Sequence, residues 1–472
     1  MDLQHLKPDR THTAPLYLQL YQRYRQAIAT GKLRPGDRVP SVRSLASELN
    51  LARGTVELAY QMLVGEGYFI GQGAAGTRIA PGLTPQVEAK PASHVLSPAM
   101  APTTTPNLEP PAFRLGLPAL DAFPRKTWAR LAARNQRNLG NQGLFAPPAC
   151  GLLELRQAIA TYLGISRGIA CSHEQVFVTA GYRGALELVC RTLLHPGDLG
   201  WFEEPGYLYA RQFLERAGMR LQPVPVDAQG LDVAHGQREA GDARFAVVTP
   251  THQSPMGMAL SLPRRQALLA WAAQAKAWVI EDDYDSEFRY HGRPLPALKS
   301  LDHDGRVLYT GTFSKVLFPG LRLAYLVVPG CQVERFRASA EHLPGPGSIV
   351  PQATTADFIG QGHFARHLSR MRGLYATRHH YLLQALDSQL GKRLHVQPQA
   401  GGLHVLAQLH GAPGDQALAT AAQAEGLAVH ALSDWSLRPG EHQGLLMGFA
   451  NFTTAQQAQE AVRRLARVWG DI

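Results

Sequence analysis

The sequence predicts an α/β protein preceded by a small separate domain built mainly of helices. Three observations support this fold class. Three helical patterns and a short hairpin fill residues 1–80, eight prolines fall within 81–111, and apolar strands alternate with helical segments over 112–472. A chain of 472 residues is also long enough for two or three domains. We therefore expect a head, a linker and a large C-terminal domain.

The composition excludes several classes of protein. Hydrophobic residues make up 45% of the chain and charged residues 18%, and no apolar run is long enough to span a bilayer. No apolar signal segment opens the sequence, so we expect a cytoplasmic protein with no membrane partner. The four cysteines are too dispersed for a CxxC motif and are expected to be buried thiols. A formal charge of +10 favours a polyanionic partner.

The head shows the pattern of a helix-turn-helix. Apolar residues recur at helical spacing over 15–30, and Ser41 can cap a short second helix at 42–49. A third helix is predicted at 52–66, and the turn at 50–51 joins it closely to the second. We expect four residues of the third helix to face inward: Val56, Ala59, Tyr60 and Leu63.

A glycine-rich stretch, GQGAAG, follows these helices at 71–76. It matches the string of a dinucleotide-binding loop, but such a loop must lead into a helix. Here the flanking YFI and TRIA have the composition of strands, so the glycines predict the tip of a β-hairpin. A hairpin beside a helix-turn-helix is a wing.

The head resembles the winged helix-turn-helix of GntR-type repressors through the run GKLRPGDRVPSVRSLASELNLARGTVELAYQMLVGEGYFIGQGAAGT. The resemblance implies binding to a double-stranded DNA operator with two half-sites. Arginines would contact phosphates or guanines, and the wing would enter the minor groove. Arg53 is the strongest candidate for reading a base. The residues assigned DNA contacts by this resemblance are Ser41, Arg43, Arg53, Thr55, Gln72 and Gly73.

The stretch 81–111 is predicted to be a linker. It is rich in proline, alanine, serine and threonine and has no periodic apolar face. Such a chain is semi-extended, at up to about 3.1 Å per residue where it adopts polyproline II. It is long enough to separate the head from the C-terminal domain.

Beyond the linker, strands are predicted at 175–179, 245–249, 278–282, 307–311 and 323–328. Their alternation with helical segments indicates a mainly parallel sheet. Ligands of such sheets bind at the carboxyl ends of the strands. Lys315, in the run TFSKVLFPGLR, follows one of these ends among apolar neighbours. Burial disfavours its ammonium form and prepares the amine to form a Schiff base.

Pyridoxal 5′-phosphate (PLP) supplies the aldehyde that a Schiff base needs, and it makes three further demands. Its pyridine nitrogen needs an acid, its ring needs an aromatic neighbour and its phosphate needs a cradle. Asp282 ends a strand in IEDDYDSEF, and the turn TAGYRG leads a strand into a helix N-terminus, which favours anions. The candidate cofactor-binding residues are Lys315, which is also the candidate catalytic residue, with Asp282, Tyr284, Tyr207, Arg322, Thr312, Ser314, Gly181, Tyr182 and Arg183.

Residues 112–472 resemble fold-type I, aspartate-aminotransferase-like PLP enzymes, with a large subdomain at about 150–330 and a small one at about 331–472. The runs TFSKVLFPGLR and IEDDYDSEF carry the resemblance. With the head and linker, the whole chain resembles MocR-type regulators, including GABA-responsive ones. The resemblance implies PLP on Lys315, its nitrogen at Asp282, its phenolic oxygen at Tyr284, its phosphate at Arg322 and its ring on Tyr207. It also implies a head-to-tail homodimer.

Two positions depart from the pattern of related enzymes. Ser254 precedes Pro255 where those enzymes have asparagine, and Leu446 stands where they carry the arginine that binds the substrate α-carboxylate. Arg183 or Arg211 remain possible substitutes. HFARH at 363–367 pairs two histidines at i and i+4 but lacks the glutamate of zinc proteases, so no metal site is predicted.

The predicted function is therefore a PLP-dependent, DNA-binding transcriptional regulator. Its effector would be PLP or an amine that forms an external aldimine with it, and Leu446 favours PLP itself, an unusual amine or a sulfonate. An active aminotransferase with an accessory DNA-binding head is the main alternative, and physiological turnover is left open. A DNA-binding scaffold with a degenerate sensor is the third.

Replacing Arg53 with alanine tests the head. We expect specific DNA affinity to fall by about 1–3 kcal/mol, because a base contact is lost, while PLP stays bound. The measurement is a titration with the DNA upstream of the protein's own gene, beside an absorbance spectrum. Unchanged affinity would contradict the assignment of Arg53.

Overall fold

A computed structural model of the chain forms two compact units, Met1–Pro106 and Asn107–Ile472. Gln72 and most of the expected linker lie outside the residues that the structure describes. The described residues are 6–71, 73, 76–83, 110–290, 295–411, 414–438 and 442–470.

In its described residues, the first unit contains three α-helices followed by a hairpin. The helices are α1 (Leu16–Ala29), α2 (Val42–Glu48) and α3 (Arg53–Gly65). Strands β1 (Phe69–Gly71) and β2 (Thr77–Ile79) pair antiparallel to each other. The predicted helices and the hairpin are confirmed, with ends that differ by one residue or less.

An aromatic cluster holds this unit together. The rings of Tyr24, Tyr60 and Phe69 meet edge to face, with centroids 5.0–5.8 Å apart. The Tyr60 hydroxyl donates to the Pro40 carbonyl at 2.9 Å, which ties α3 to the connector before α2. The four residues of α3 that we expected to face inward are all buried. The polar face of α3 is thereby turned outward.

The second unit is built on an eight-stranded sheet in the order β3-β10-β9-β8-β7-β4-β5-β6. Only β10 and β6 run against their neighbours, so the prediction of a mainly parallel sheet is confirmed. The strands are β3 (Val176–Thr179), β4 (Leu199–Glu204), β5 (Arg220–Asp227), β6 (Gly230–Leu231), β7 (Phe245–Val248), β8 (Trp278–Asp283), β9 (Val307–Thr312) and β10 (Ala324–Val327).

Eight helices accompany this sheet along the chain. They are α4 (Arg125–Arg137), α5 (Leu153–Arg167), α6 (Tyr182–Leu193), α7 (Leu208–Arg216), α8 (Val233–Ala240), α9 (Leu262–Ala275), α10 (Phe313–Val316) and α11 (Val333–Ala340). Strands β3, β7, β8 and β10 are buried along their whole length. Polar side chains can therefore meet a ligand only at the strand ends or beyond them.

A second sheet, with four antiparallel strands, lies in the C-terminal part. Its order is β11-β12-β14-β13, formed by β11 (Leu394–Val396), β12 (His404–Leu409), β13 (His430–Ala431) and β14 (Gly444–Gly448). The remaining helices are α12 (Ile349–Gly360), α13 (His363–Leu390), α14 (Asp415–Ala424) and α15 (Ala455–Gly470). Across the described residues, no helix combines the length and apolarity needed to cross a membrane.

The cysteines do not all follow the expectation of buried thiols. Cys150 and Cys190 are buried, Cys171 is half-buried, and Cys331 is exposed. The prediction was wrong for Cys331 because this residue lies in the short turn between β10 and α11, where the chain returns to the surface.

Candidate functional site

A cavity of about 470 Å³ opens at the carboxyl ends of the parallel strands. Residues that follow five strands of the large sheet meet there, as expected for a sheet of this kind. These residues are Tyr182 after β3, Tyr207 after β4, Ser254 after β7, Tyr284 after β8 and Lys315 after β9. The antiparallel sheet contributes the opposite wall through β12 and β14. Sequence-distant residues thus share one pocket.

Nine of the ten candidate cofactor-binding residues line this cavity: Lys315, Asp282, Tyr284, Tyr207, Arg322, Thr312, Ser314, Tyr182 and Arg183. The tenth, Gly181, lies just behind the lining. A Cβ atom at Gly181 would come within 3.2 Å of the Arg322 guanidinium. The structure therefore brings the whole candidate set together.

Lys315 lies on the single turn of α10. Its Nζ donates a hydrogen bond to the Gly116 carbonyl at 2.9 Å. Burial lowers the pKa of Lys315, although the carboxylates of Asp285 and Asp282 act in the opposite direction. Gly116 has φ +64°, and a Cβ there would collide with the lysine amine. Glycine at 116 thus leaves room for the amine while its carbonyl orients it.

Two hydrogen bonds hold the turn that carries Lys315. The Thr312 hydroxyl accepts from the Ser314 amide at 3.1 Å, which caps α10. His367 Nε2 lies 3.0 Å from the Val316 carbonyl, and because a carbonyl only accepts, the ring nitrogen is the donor. His367 is the second histidine of HFARH. The described residues contain no cluster of His, Cys, Asp or Glu suited to a metal ion.

Asp282 is buried at the end of β8. Burial raises the pKa of its carboxyl to about 7, while the neighbouring Tyr182 hydroxyl partly opposes the shift. Thr310 lies at the edge of hydrogen-bond distance, at 3.4 Å. A cationic N–H group next to a buried carboxyl stabilises the ionised form of that carboxyl. The environment of Asp282 fits a protonated ring nitrogen.

Tyr284 belongs to a buried relay that sequence reasoning missed. His252 Nδ1 lies 2.9 Å from Asp285 Oδ1 and 3.0 Å from the Tyr284 hydroxyl. An ionised carboxylate only accepts hydrogen bonds, so Nδ1 carries the proton and the tyrosine oxygen faces a donor. The Tyr284 proton is then free to point away from His252, where it can be donated to a ligand. The pKa of His252 is raised because Asp285 outweighs the opposing effect of burial.

One end of the cavity is suited to a phosphate. Gly181 precedes α6 with φ +80°, and the first amides of α6 belong to Tyr182 and Arg183. Arg322 lies against Gly181 and itself has φ +53°, an unusual conformation for a residue with a side chain. A helix N-terminus and a guanidinium therefore converge at one point.

Aromatic side chains form a wall of the cavity. The ring of Tyr207 lies 6.1 Å from that of Tyr182, 5.6 Å from Tyr209 and 5.7 Å from Trp435. Burial raises the pKa of Tyr207, so its hydroxyl stays neutral. The other three rings are tilted by 46–68° to that of Tyr207, so this wall is an aromatic cluster rather than one flat face.

The two departures from the enzyme pattern both lie in the cavity lining. Leu446 is buried in the middle of β14 and carries no charge. Arg211, one suggested substitute, donates instead to the carbonyls of Ser436 and Asp434 at 2.7 and 3.0 Å. Arg183, the other, lies over the Tyr209 ring. Neither suggestion is supported at the Leu446 position.

Several cavity residues were not predicted: Arg114, Leu115, Gly116, His404, His430 and Trp435. The first three belong to the short irregular segment FRLGLPA, whose Gly and Pro residues were the available signal. His404 Nε2 donates to the Pro255 carbonyl at 3.0 Å, and burial lowers its pKa to about 4. His404 is therefore neutral at physiological pH.

The candidate DNA-binding residues lie in the first unit. Arg43 on α2 and Arg53 at the start of α3 are exposed, and Thr55 is half-buried. Ser41 Oγ accepts from the Ser44 amide at 3.1 Å, so this residue also caps α2. Gly73, with φ +55°, lies between the two strands of the hairpin. Gln72 is outside the described residues.

The fold and the cavity define a two-part class of protein, a winged helix-turn-helix joined to an aminotransferase-like domain. Residues 16–79 match the family model of bacterial regulatory proteins of the gntR family. Residues 119–465 match the model of class I and II aminotransferases. The whole chain belongs to the MocR-type subfamily of GntR regulators.

Two regulators illustrate this membership. The chain is 36% identical to the probable rhizopine catabolism regulatory protein MocR of Rhizobium meliloti, over 94% of this chain and 91% of that protein. It is 35% identical to the pyridoxine biosynthesis regulator PdxR of Corynebacterium glutamicum, over 92% of this chain and 91% of that protein. Both alignments extend over the head as well as the C-terminal domain.

Solved structures resemble the second unit. A Thermus thermophilus α-aminoadipate aminotransferase, LysN, complexed with N-(5′-phosphopyridoxyl)-L-leucine, is 28% identical with a TM-score of 0.69, over 76% of this chain and 92% of that one. A Pyrococcus horikoshii kynurenine aminotransferase has a TM-score of 0.70 at 24% identity, over 77% of this chain and 92% of that one. The fold of the second unit is that of aminotransferases.

The raised pKa of Asp282 predicts a pH-dependent stability for the ligand-free protein. The Asp282 carboxyl has a pKa of about 7 in the folded protein, against 3.8 for an ordinary aspartate, so between these pH values the native state holds a proton that the unfolded state has lost. Native stability is therefore lost as pH rises between these values. We expect Asp282→Asn to become more stable than the unsubstituted protein by up to about 4 kcal/mol between pH 4 and pH 8.

The measurement is the free energy of unfolding of both proteins, obtained from urea titrations across this pH range. Asn keeps the shape and a hydrogen-bonding oxygen, so the comparison isolates the charge. If the unfolding free energies of the two proteins differed by the same amount at every pH, the assigned burial of the Asp282 charge would be contradicted.

Proposed function

We propose that this chain binds PLP through Lys315 and that occupancy of the cavity regulates DNA binding by the head. One observation carries the proposal. The lysine amine, the buried Asp282 carboxyl and the Gly181–Arg322 cradle open onto a single cavity with an aromatic wall. These are the groups that the aldehyde, the pyridine nitrogen, the phosphate and the ring of PLP require.

The residues have separate tasks in this proposal. The Gly116 carbonyl orients the Lys315 amine, and burial keeps a larger share of that amine neutral and able to attack an aldehyde. Asp282 holds a proton on the ring nitrogen, and Tyr284 donates its hydroxyl proton to the phenolic oxygen. Bound PLP supplies an aldehyde that condenses with amines and a ring that withdraws electrons.

The remaining residues hold the cofactor in position. The α6 amides, Arg322 and the hydroxyls of Thr312 and Ser314 bind the phosphate. The Tyr207 ring packs on the pyridine face. Because the proposed contacts lie at the ends of strands β3, β4, β8 and β9 of one sheet, binding of the cofactor links separate parts of the second unit.

The regulator acts on DNA as a homodimer in this proposal. The head presents Arg43 and Arg53 to the operator, and two heads read two half-sites. An effector regulates only if its affinity differs between two arrangements of the dimer. The dimer, its head-to-tail arrangement and a cytoplasmic location are parts of the same proposal.

An active aminotransferase is the second candidate, because the second unit has the fold of those enzymes. Leu446 weighs against it. With leucine at this position, the protein lacks the guanidinium that binds the carboxylate of an ordinary α-amino acid. Part of the binding energy that serves catalysis is therefore missing. Sustained ketoacid production from an amino acid would favour the enzyme.

Lys315→Ala and Gly116→Ala test cofactor binding. With PLP added and the excess removed, the unsubstituted protein should show a visible absorption band. We expect Lys315→Ala to abolish this band, because no amine remains to bond the aldehyde. Gly116→Ala should also abolish it or weaken it strongly, because the new methyl group occupies the position of the amine.

Gly373→Ala is the matched control, since Gly373 lies on α13 with open space around its Cβ position. It should retain the full band. Circular dichroism of each variant verifies that the fold is intact. A visible band of unchanged intensity in Lys315→Ala would contradict the proposal.

A further inference from the structure

We propose that Asp285 and His252 are positioning residues that direct the hydroxyl proton of Tyr284 into the cavity. Asp285 holds a proton on His252 Nδ1, so this nitrogen cannot accept the proton of Tyr284. The inference rests on the proposed function, because the group that receives the Tyr284 proton there is the phenolic oxygen of PLP. It goes further by assigning two residues that act on the cofactor through a third.

The three side chains meet around one nitrogen atom. His252 Nδ1 lies 2.9 Å from Asp285 Oδ1 and 3.0 Å from the Tyr284 hydroxyl oxygen. Asp285 and His252 are buried, with 1% and 8% of their surface exposed, so bulk water does not compete for these contacts. A carboxylate only accepts hydrogen bonds, so the hydrogen on Nδ1 points toward Asp285. With this proton in place, Nδ1 has no lone pair to offer Tyr284.

The Nδ1 proton is retained in both protonation states of His252. A neutral ring beside the carboxylate carries its single proton on Nδ1, and an imidazolium carries one proton on each nitrogen. Burial by itself would lower the pKa of His252, but the Asp285 carboxylate reverses this effect and raises it. Gain or loss of the Nε2 proton therefore leaves the orientation of the Tyr284 hydroxyl unchanged.

Contacts on its other sides hold the His252 ring in place. The neighbouring Gln253 donates three hydrogen bonds that fix the turn. A Cβ at Gly402 would collide with the imidazole, so the chain just before β12 packs directly against the ring. Nε2 has no hydrogen-bond partner among the described residues. Hydrogen bonding therefore orients the ring through Nδ1, where Asp285 and Tyr284 meet.

The Tyr284 hydroxyl keeps its proton and needs an acceptor for it. Burial, and after it the Asp285 charge, raise the pKa of Tyr284 well above its usual range, so the hydroxyl stays neutral. Tyr284 lines the cavity, and its oxygen is within hydrogen-bond distance of His252. Because His252 Nδ1 acts as a donor, the Tyr284 proton is directed to an acceptor in the cavity.

The direction of this proton affects the pH at which the visible band of the PLP-loaded protein changes. A donor at the phenolic oxygen stabilises the negative charge there, and this matters most when the neighbouring Lys315 nitrogen has lost its proton. Loss of the donor therefore raises the pH midpoint of the band. Loss of the Asp285 charge by itself lowers the midpoint, because burial lowers the pKa of Lys315 and the Asp285 carboxylate opposes that effect.

Several elements bring other charged and titratable groups to the pair. These groups are Glu203, Asp282, Tyr284, Arg289, Tyr290, Lys315 and His404. A comparison that keeps all of them except Tyr284 unchanged isolates the effect of the pair on Tyr284.

A double-substitution cycle on the full-length, PLP-loaded protein tests the inference. Spectra from about pH 5 to about pH 10 give the midpoint for the unsubstituted protein, Asp285→Asn, Tyr284→Phe and the protein with both substitutions. Asparagine keeps the shape of the side chain, but its neutral amide no longer holds the proton on Nδ1. We expect the midpoint shift caused by Asp285→Asn to be more alkaline by about 0.5–1 pH unit with Tyr284 present than with Tyr284 replaced.

Asp227→Asn is the matched control, because Asp227 is exposed at the end of β5, pairs with Arg264 and does not line the cavity. It should leave the midpoint unchanged. Circular dichroism verifies the fold of each variant. If Asp285→Asn does not fold, Asp285→Leu takes its place in the cycle with the same expected sign, because it removes the same carboxylate with a side chain of similar size.

Two outcomes overturn the inference. In the first, the substitution at Asp285 shifts the midpoint equally with and without Tyr284, as a purely electrostatic effect on Lys315 would. In the second, the difference between the two shifts has the opposite sign. Absence of a Lys315-dependent visible band in the unsubstituted protein would instead refute the proposed function.

Discussion

The contact between the Lys315 amine and the Gly116 carbonyl is the interaction on which the site depends. It joins the turn after β9 to a segment almost two hundred residues earlier, and that segment is in turn hydrogen-bonded to β14. The lysine is thereby held between the two sheets of the second unit. A ligand that takes over this amine must also replace the contact with Gly116, so it acts on both sheets.

The cost of burying charge explains why the cavity is suited to a cofactor. Asp282 has a pKa of about 7 and Lys315 a lowered pKa because neither group is fully solvated. Lys315 donates to the Gly116 carbonyl, and Asp282 has a long contact of 3.4 Å with the Thr310 hydroxyl, so neither group has an oppositely charged partner at hydrogen-bond distance among the described residues. A protonated ring nitrogen would pair with the Asp282 carboxylate, and an aldehyde would react with the Lys315 amine. Part of the ligand's binding energy would therefore come from removing the cost of burying these two groups.

Sequence reasoning predicted the fold and most of the site because both depend on local patterns. The helical spacing of apolar residues and the strands around the glycines predicted the winged helix-turn-helix of the head. Polar residues at the ends of apolar strands predicted Lys315 and Asp282 as site residues. Strands β4 and β5 were missed, since LGWFEE ends in two glutamates and RLQPVPVD contains two prolines. His252, Asp285 and Gly116 were missed because their roles depend on contacts between distant segments. No spacing in the sequence encodes such contacts.

The central claim is that occupancy of the Lys315 cavity changes DNA binding by the head. The most direct measurement titrates PLP-stripped protein with its own upstream DNA at one fixed salt concentration, with and without PLP, because protein–DNA affinity depends strongly on salt. The account predicts that PLP, alone or with an amine effector, changes the affinity or footprint, and that Lys315→Ala removes the change. Identical binding under all these conditions would contradict it.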